Sequence, residues 1–372
     1  MGASSWEGDS YWPGWASFWL FAIVIASHFL IKKFHFSLGL FALWDMLRSW
    51  SNVSLRTSVY LDLPPSLRPS VSAISFDHLF TVMSGIFLCV FAKRRHLAGV
   101  FVSLYAFAFL HTIVLAIELF LQIPGSDKGG FLGNHSMGST FTACFLPIAL
   151  LALLRGSRLW LHFAYMALAG WVIMASGSSQ ALLTLGASVF IVLAHFLWSR
   201  PKWLFTASIA AGLGVLAGVI FHESGFSNAR FDGWVIFLQF WGDNFNRFVG
   251  SGPGTFAIFG PISQDLSRFY VGRWWLWAHN DWLQLMLESG FIGSILFLVL
   301  YLSALLKSFR GRNLEVLALL IAFGLSGICQ YPTKIAISSI SSWAVLLCAF
   351  RGVYFREVIL WRALPLRVFK RQ

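Results

Sequence analysis

Charge is scarce in this chain, and so are the residue groupings that usually hold metals or nucleotides. Charged residues make up 11% of the 372, against roughly 25% in a soluble domain. With 58% hydrophobic residues and a mean hydropathy of +0.72, the chain is expected to be solvated mainly by lipid. Cysteine is rare as well. Cys89, Cys144, Cys329 and Cys348 all lie inside apolar runs without CxxC spacing, so a disulfide framework or thiolate metal site is not expected and they read as packing residues. No GxxxxGK[ST] loop, no paired acidic cluster for a divalent metal and no cytoplasmic domain for a nucleotide sugar can be found. An anionic substrate would therefore be met on the outer face, with no cofactor and no protein-bound metal. Internal repeats of the transporter type are missing too.

Long apolar runs dominate what remains. A bilayer core of roughly 30 Å takes about 20 apolar residues as helix. Such runs predict an all-α, polytopic membrane protein with about eleven spans. They are Trp12–Ile31, His35–Trp50, Leu79–Ala92, Leu97–Leu121, Gly138–Leu154, Leu159–Ser176, Gln180–Trp198, Trp203–Phe221, Trp282–Leu306, Leu314–Gln330 and Ile335–Phe350. Ahead of them MGASSWEGDSYWPGW lacks the basic start of a signal peptide and reads as a short acidic segment before a retained helix.

The net charge of +12 is spread over short clusters between the runs, which argues against a nucleic-acid surface. Lys32-Lys33, Lys93 to Arg95, Arg155 with Arg158, Arg200 with Lys202, Lys307 to Arg312 and the tail from Arg351 all fall at alternate connections. Basic residues mark the cytoplasmic side, so the N-terminus is expected outside and the C-terminus inside. Many of the 18 tryptophans stand near the ends of apolar runs, as interfacial belts require. Four outer segments are of interest: 51–77, 122–137, a tight turn at 176–179, and the long loop 222–281.

That loop carries Arg230, Arg247, Arg268 and Arg273 and no lysine. Arginine suits planar, bidentate grips on phosphate or carboxylate oxygens. Its commoner use is ion pairing, and Glu223, Asp232, Asp243, Asp265 and Asp281 are in the loop to serve it. VGSGPGTF at 249–256 has the wrong spacing for a dinucleotide fingerprint and reads as a tight turn.

WAHNDWLQLMLESGFIG, residues 277–293, runs straight into the ninth apolar run. Asn280 or Asp281 is placed to cap that helix. A helix N-terminus disfavours imidazolium and favours anions nearby, so a neutral His279 there is suited to take a proton from a hydroxyl. A lone histidine is more often structural, and the other nine are read that way. Gly290 and Gly293 are read as letting a neighbouring helix approach. Glu288 would stand at a depth where an ionised carboxylate is costly. Asn134 or Ser136 is read as a helix cap, and His111 and Glu118 as sharing one helix face.

Taken together, these residues resemble a known signature. His279-Asn280, nine residues, Gly290, two residues and Gly293 is similar to the motif of the O-antigen ligase and O-antigen polymerase superfamily. NARFDGWVIFLQFWGDNFNRFVGSGPGTF resembles that family's arginine-and-tryptophan helix with its glycine turn, Arg230 and Gly250, Gly252 and Gly254 taking the matching places. GGFLGNHSMGSTFTACFLPIALLAL is similar to its Asn-containing helix entry, with Asn134 in place. The resemblance covers roughly residues 130 to 300. It implies a metal-independent membrane glycosyltransferase of the GT-C type in the bacterial inner membrane, acting on the periplasmic face. The donor would be a glycan on undecaprenyl diphosphate. The acceptor would be a lipid A-core or other saccharide hydroxyl, or another carrier-linked unit in a polymerase.

By this resemblance His279 would activate the acceptor, and Arg230, with Arg273, Arg268 or Arg247, would hold the diphosphate beside Asn280, Asn134 and Gln180. Gln180 stands where many members have arginine. Such ligases typically have twelve helices, against about eleven here. The chain would then divide into N-terminal helices (1–129), a catalytic core with the periplasmic loop (130–306), and C-terminal helices with a basic tail (307–372). A polymerase is the nearest alternative. A lipid-carrier transporter and a catalytically silent assembly partner are more distant ones.

Overall fold

In the computed structural model every regular α or β element among the described residues is an α-helix. The structure describes residues 94–121, 132, 135–154, 160–197, 228–252, 254–268, 275, 277–329 and 336–353. In chain order the helices are α1 (Arg94–Leu121), α2 (His135–Leu154), α3 (Trp160–Ser176), α4 (Ser179–Leu197), α5 (Asn228–Asn244), α6 (Phe256–Leu266), α7 (Asp281–Arg310), α8 (Leu314–Cys329) and α9 (Ala336–Arg351). Each expected span that falls on described residues is one of these helices. The expected spans Trp12–Ile31, His35–Trp50, Leu79–Ala92 and Trp203–Phe221 lie outside the described residues, as does the outer segment 51–77.

Among the described residues three helices, α1 over Gly99–Leu121, α2 and α7, are long and apolar enough to cross a membrane; α3 and parts of α8 and α9 are shorter apolar helices. Exposure identifies the solvent. On α3 the residues His162, Tyr165, Ala169, Val172 and Ile173 are buried, a three-and-four spacing that makes one face. Its other face is no more polar, because Trp160, Phe163, Trp171 and Met174 are exposed. A helix apolar on both faces belongs in lipid.

The chain divides into two compact units: Met1–Ala92 with Ala211–Leu306 and Phe323–Trp343, and Lys93–Ala210 with Lys307–Ala322 and Ala344–Gln372. In the second unit α2 packs against α1, α3 and α4. Hydroxyls and one imidazole join these helices. Tyr165 Oη donates to the carbonyl of Thr142 at 2.9 Å, the Thr112 and Thr142 hydroxyls meet at 3.1 Å, and His111 Nε2 lies 3.2 Å from the carbonyl of Gly138. His111 is thus a buried helix-to-helix tie. Cys144 and Cys348 are buried thiols in α2 and α9.

In the first unit the segment expected as one long loop contains two helices, α5 and α6. Phe237, Trp241, Phe256, Phe259, Trp275, Ala278 and Leu287 close into one core, packed with Trp234, Leu283 and Met286. Burying so many large apolar side chains, at about 1.5–3 kcal/mol each, orders the segment against the first turns of α7. On α8 the place of a Gly324 Cβ is taken by the Tyr301 hydroxyl, and Trp282 Nε1 donates to the carbonyl of Gly324 at 2.9 Å.

Candidate functional site

His279 sits on a pinned stretch of backbone. Asn280 caps α7: its Oδ1 accepts the N–H of Leu283 at 3.0 Å, and its carbonyl accepts that of Gln284 at 2.9 Å. On the other side of His279, the carbonyl of Ala278 accepts the indole N–H of Trp234 at 2.8 Å, and its N–H donates to Gln284 Oε1 at 3.1 Å. Three residues earlier, the N–H of Trp275 donates to Gln264 Oε1 at 2.6 Å. The ring of His279 packs edge-on against Trp275, centroids 5.5 Å apart.

Between these ties His279 adopts φ 53°. The left-handed region costs a residue with a Cβ roughly 1–2 kcal/mol, so the surrounding bonds must hold it there. His279 as a residue is only half-buried, so an imposed backbone is combined with partial exposure.

Arg230 is joined to this stretch through its own helix. It stands in the first turn of α5 and is half-buried. Trp234, whose indole reaches the residue before His279, is four positions later and so on the same helix face. Arg247 is placed elsewhere. Its Nη2 makes a long bond, 3.5 Å, to the carbonyl of Gly242 near the end of α5, about 18 Å along the helix from Arg230. Arg268 is exposed, with φ 55°, just beyond the C-terminal end of α6. Gln264, one turn earlier, binds the Trp275 backbone, so Arg268 lies at the His279 end of α6. Arg273 and Asn134 lie outside the described residues. Gln180 belongs to the other unit, where its Oε1 accepts the Ser136 hydroxyl at 2.5 Å and Ser136 also meets Ser178 at 3.0 Å.

The glycine motifs interlock. Gly250, Gly252 and Gly254 have φ of 77°, 106° and 73°, and Gly290 breaks α7 with φ 68°, ψ −175°. The helical bonds lost at the break are replaced by the turn. The N–H groups of Ser251 and Gly252 donate to the carbonyls of Leu287 and Glu288, and those of Phe291 and Ile292 donate to the carbonyls of Arg247 and Phe248. A Cβ on Gly250 would collide with backbone at Glu288 and Gly290, and one on Gly290 with backbone at Phe248 and Gly250. What Gly290 admits is therefore a loop backbone, where a neighbouring helix had been expected. Gly293 is buried one turn further on.

Four positioning residues escaped the sequence reading as such: Trp234, Gln264, Gln284 and Glu288. Gln284 and Glu288 are buried, and Gln284 Nε2 donates to Glu288 Oε1 at 3.0 Å. The same carboxylate oxygen accepts the N–H of Phe256 at 3.3 Å, at the start of α6, where the helix dipole favours negative charge. Ala278, Gln284, Glu288 and Phe256 thus form one relay from the His279 stretch to the N-terminus of α6. The available signal was two polar residues four apart in an apolar run; what they would meet was not in that signal.

Comparison of the chain with protein-family models and with curated proteins finds no match.

Proposed function

We propose that this membrane protein is a glycosyltransferase of the O-antigen ligase type, moving a glycan from undecaprenyl diphosphate to a saccharide hydroxyl. The reading places it in the bacterial inner membrane as a protein of about eleven spans, with residues 222–281 on the periplasmic face. One observation carries it: the Trp234 bond to Ala278 brings the Arg230 turn of α5 to the stretch that presents His279.

In this mechanism the acceptor oxygen forms a bond to the anomeric carbon while the bond from that carbon to the diphosphate oxygen breaks. The electron pair leaves on the diphosphate, and the hydroxyl proton passes to the neutral imidazole of His279. A guanidinium fixed at Arg230 meets the departing charge without solvent reorganisation. Arg273 or Arg268 is the second candidate for that role.

The test is transfer by purified protein in vesicles supplied with carrier-linked repeat units and a lipid A-core acceptor. His279→Ala is expected to lower turnover by roughly 10²–10⁴-fold, and Arg230→Ala by roughly 10²–10³-fold, with both variants still inserted. Transfer at the parental rate by both overturns the assignment. A ladder of carrier-linked products, in place of a single acceptor-linked one, assigns the chain to the polymerase type instead.

A further inference from the structure

α7 changes its surroundings at Gly290. Before the break, Gln284, Leu287, Glu288 and Ser289 are buried, and Leu283 and Met286 pack on the aromatic core. After it, Phe291, Ile295, Leu298, Leu302, Leu306 and Phe309 are exposed at three-and-four spacing, one continuous apolar stripe. Residues 291–310 rise about 30 Å, which equals the hydrocarbon core of about 30 Å. The stripe ends with Lys307 and Arg310 in the last turn of α7, where long basic side chains reach the interface.

The turn that fills the break adds to this stripe. Phe248 is 65% exposed and its ring lies 6.2 Å from that of Phe291, edge to face. Its carbonyl is bonded to the N–H of Ile292, so its backbone is fixed at the first turn of the lipid-facing part. Arg247 beside it is exposed too, as suits a cation at headgroup level next to an exposed aromatic.

We propose that the bilayer surface on this side lies at the Gly290 break, and that the 247–249 turn is a membrane anchor with Phe248 among phospholipid acyl chains. Residues 281–289, with Glu288 and Gln284, then stand above the hydrocarbon within the loop unit. This shifts the outer end of the span from Trp282 to Phe291, and it removes the cost expected for a carboxylate at Glu288. Nothing in it depends on glycan transfer.

The experiment is site-directed spin labelling of the full chain in phosphatidylcholine and phosphatidylglycerol vesicles, with the four native cysteines replaced. Labels are placed singly through Phe248→Cys, Ile295→Cys and Asp265→Cys. Asp265 is an exposed residue at the far end of α6, whose first residue is bonded to Glu288. The ratio of collisions with oxygen to collisions with a water-soluble nickel chelate is expected to be several-fold higher at 248 than at 265, and to match that at 295. A ratio at 248 equal to that at 265 overturns the proposal, as does a label at 248 that neither reagent reaches, because protein then covers the turn. Should Phe248→Cys fail to fold, Phe291→Cys, the neighbouring ring, carries the same comparison with the same outcomes.

Discussion

The buried polar groups around Thr142 and those around Glu288 solve different problems. Around Thr142, α1, α2 and α3 are helices that satisfy most of their backbone internally, as lipid requires, Pro147 in α2 being the exception. The Tyr165 and Thr112 hydroxyls are supplements to a packing that already stands. Around Glu288 the chain runs outside helices at 246–252 and 277–280, where no continuous helical ladder satisfies its N–H groups. There the side chains of Gln264, Gln284 and Glu288 take the N–H groups of Trp275, Ala278 and Phe256. Neutral hydroxyls suffice between helices; amides and a carboxylate are needed where the backbone leaves the helix. Leaving a buried donor or acceptor unmade costs far more than a supplementary bond contributes, so substitutions in the two regions should differ in scale.

The largest effect is expected at the interlock. Gly290→Ala puts a Cβ at φ 68°, ψ −175° against the Phe248 carbonyl, and should destabilise the first unit by about 4 kcal/mol or more. Near-complete loss of monodisperse protein in detergent is the readout; parental yield and unfolding midpoint would break the account of the turn. Gln284→Leu comes next. It strands the Ala278 N–H and removes a donor from a buried carboxylate, a loss of about 3 kcal/mol, read as a lowered thermal midpoint in detergent.

Glu288→Gln keeps an acceptor oxygen for both donors and loses only the charge at the α6 N-terminus. The expected cost is about 1 kcal/mol, so this variant should sit well above Gln284→Leu in the same assay. Tyr165→Phe, in the other region, is the smallest. Helix-to-helix bonds in lipid average about 0.6 kcal/mol, and its midpoint should move little. If Tyr165→Phe costs as much as Gln284→Leu, the distinction between the two networks fails.

Much of the fold was legible in the chain because lipid demands long apolar helices, and the runs from Leu97 to Leu121 and from Gly138 to Leu154 could only be that. The Asn280 cap was legible too, since its partners are three and four residues away. The break in α7 was not. Gly290 and Gly293 in an apolar run read equally well as helix packing, and only the turn from 247 to 252, about forty residues earlier in the chain, makes Gly290 a crossover. Glu288 was visible as an oddity whose partner, the start of α6, is 32 positions away.

Composition and periodicity alone determined that this chain is helical, apolar and supplied with arginine and histidine near one helix mouth, because those properties depend on residues a few positions apart. Which end of α5 meets the His279 stretch was decided by tertiary contacts. Arg230 is in the first turn of α5 and Arg247 just past its end, and what sets them apart in space is the Trp234 indole reaching a carbonyl 44 residues on. The energy of that choice comes from an aromatic core assembled across α5, α6 and α7, and no local pattern encodes which end of α5 it brings to the histidine.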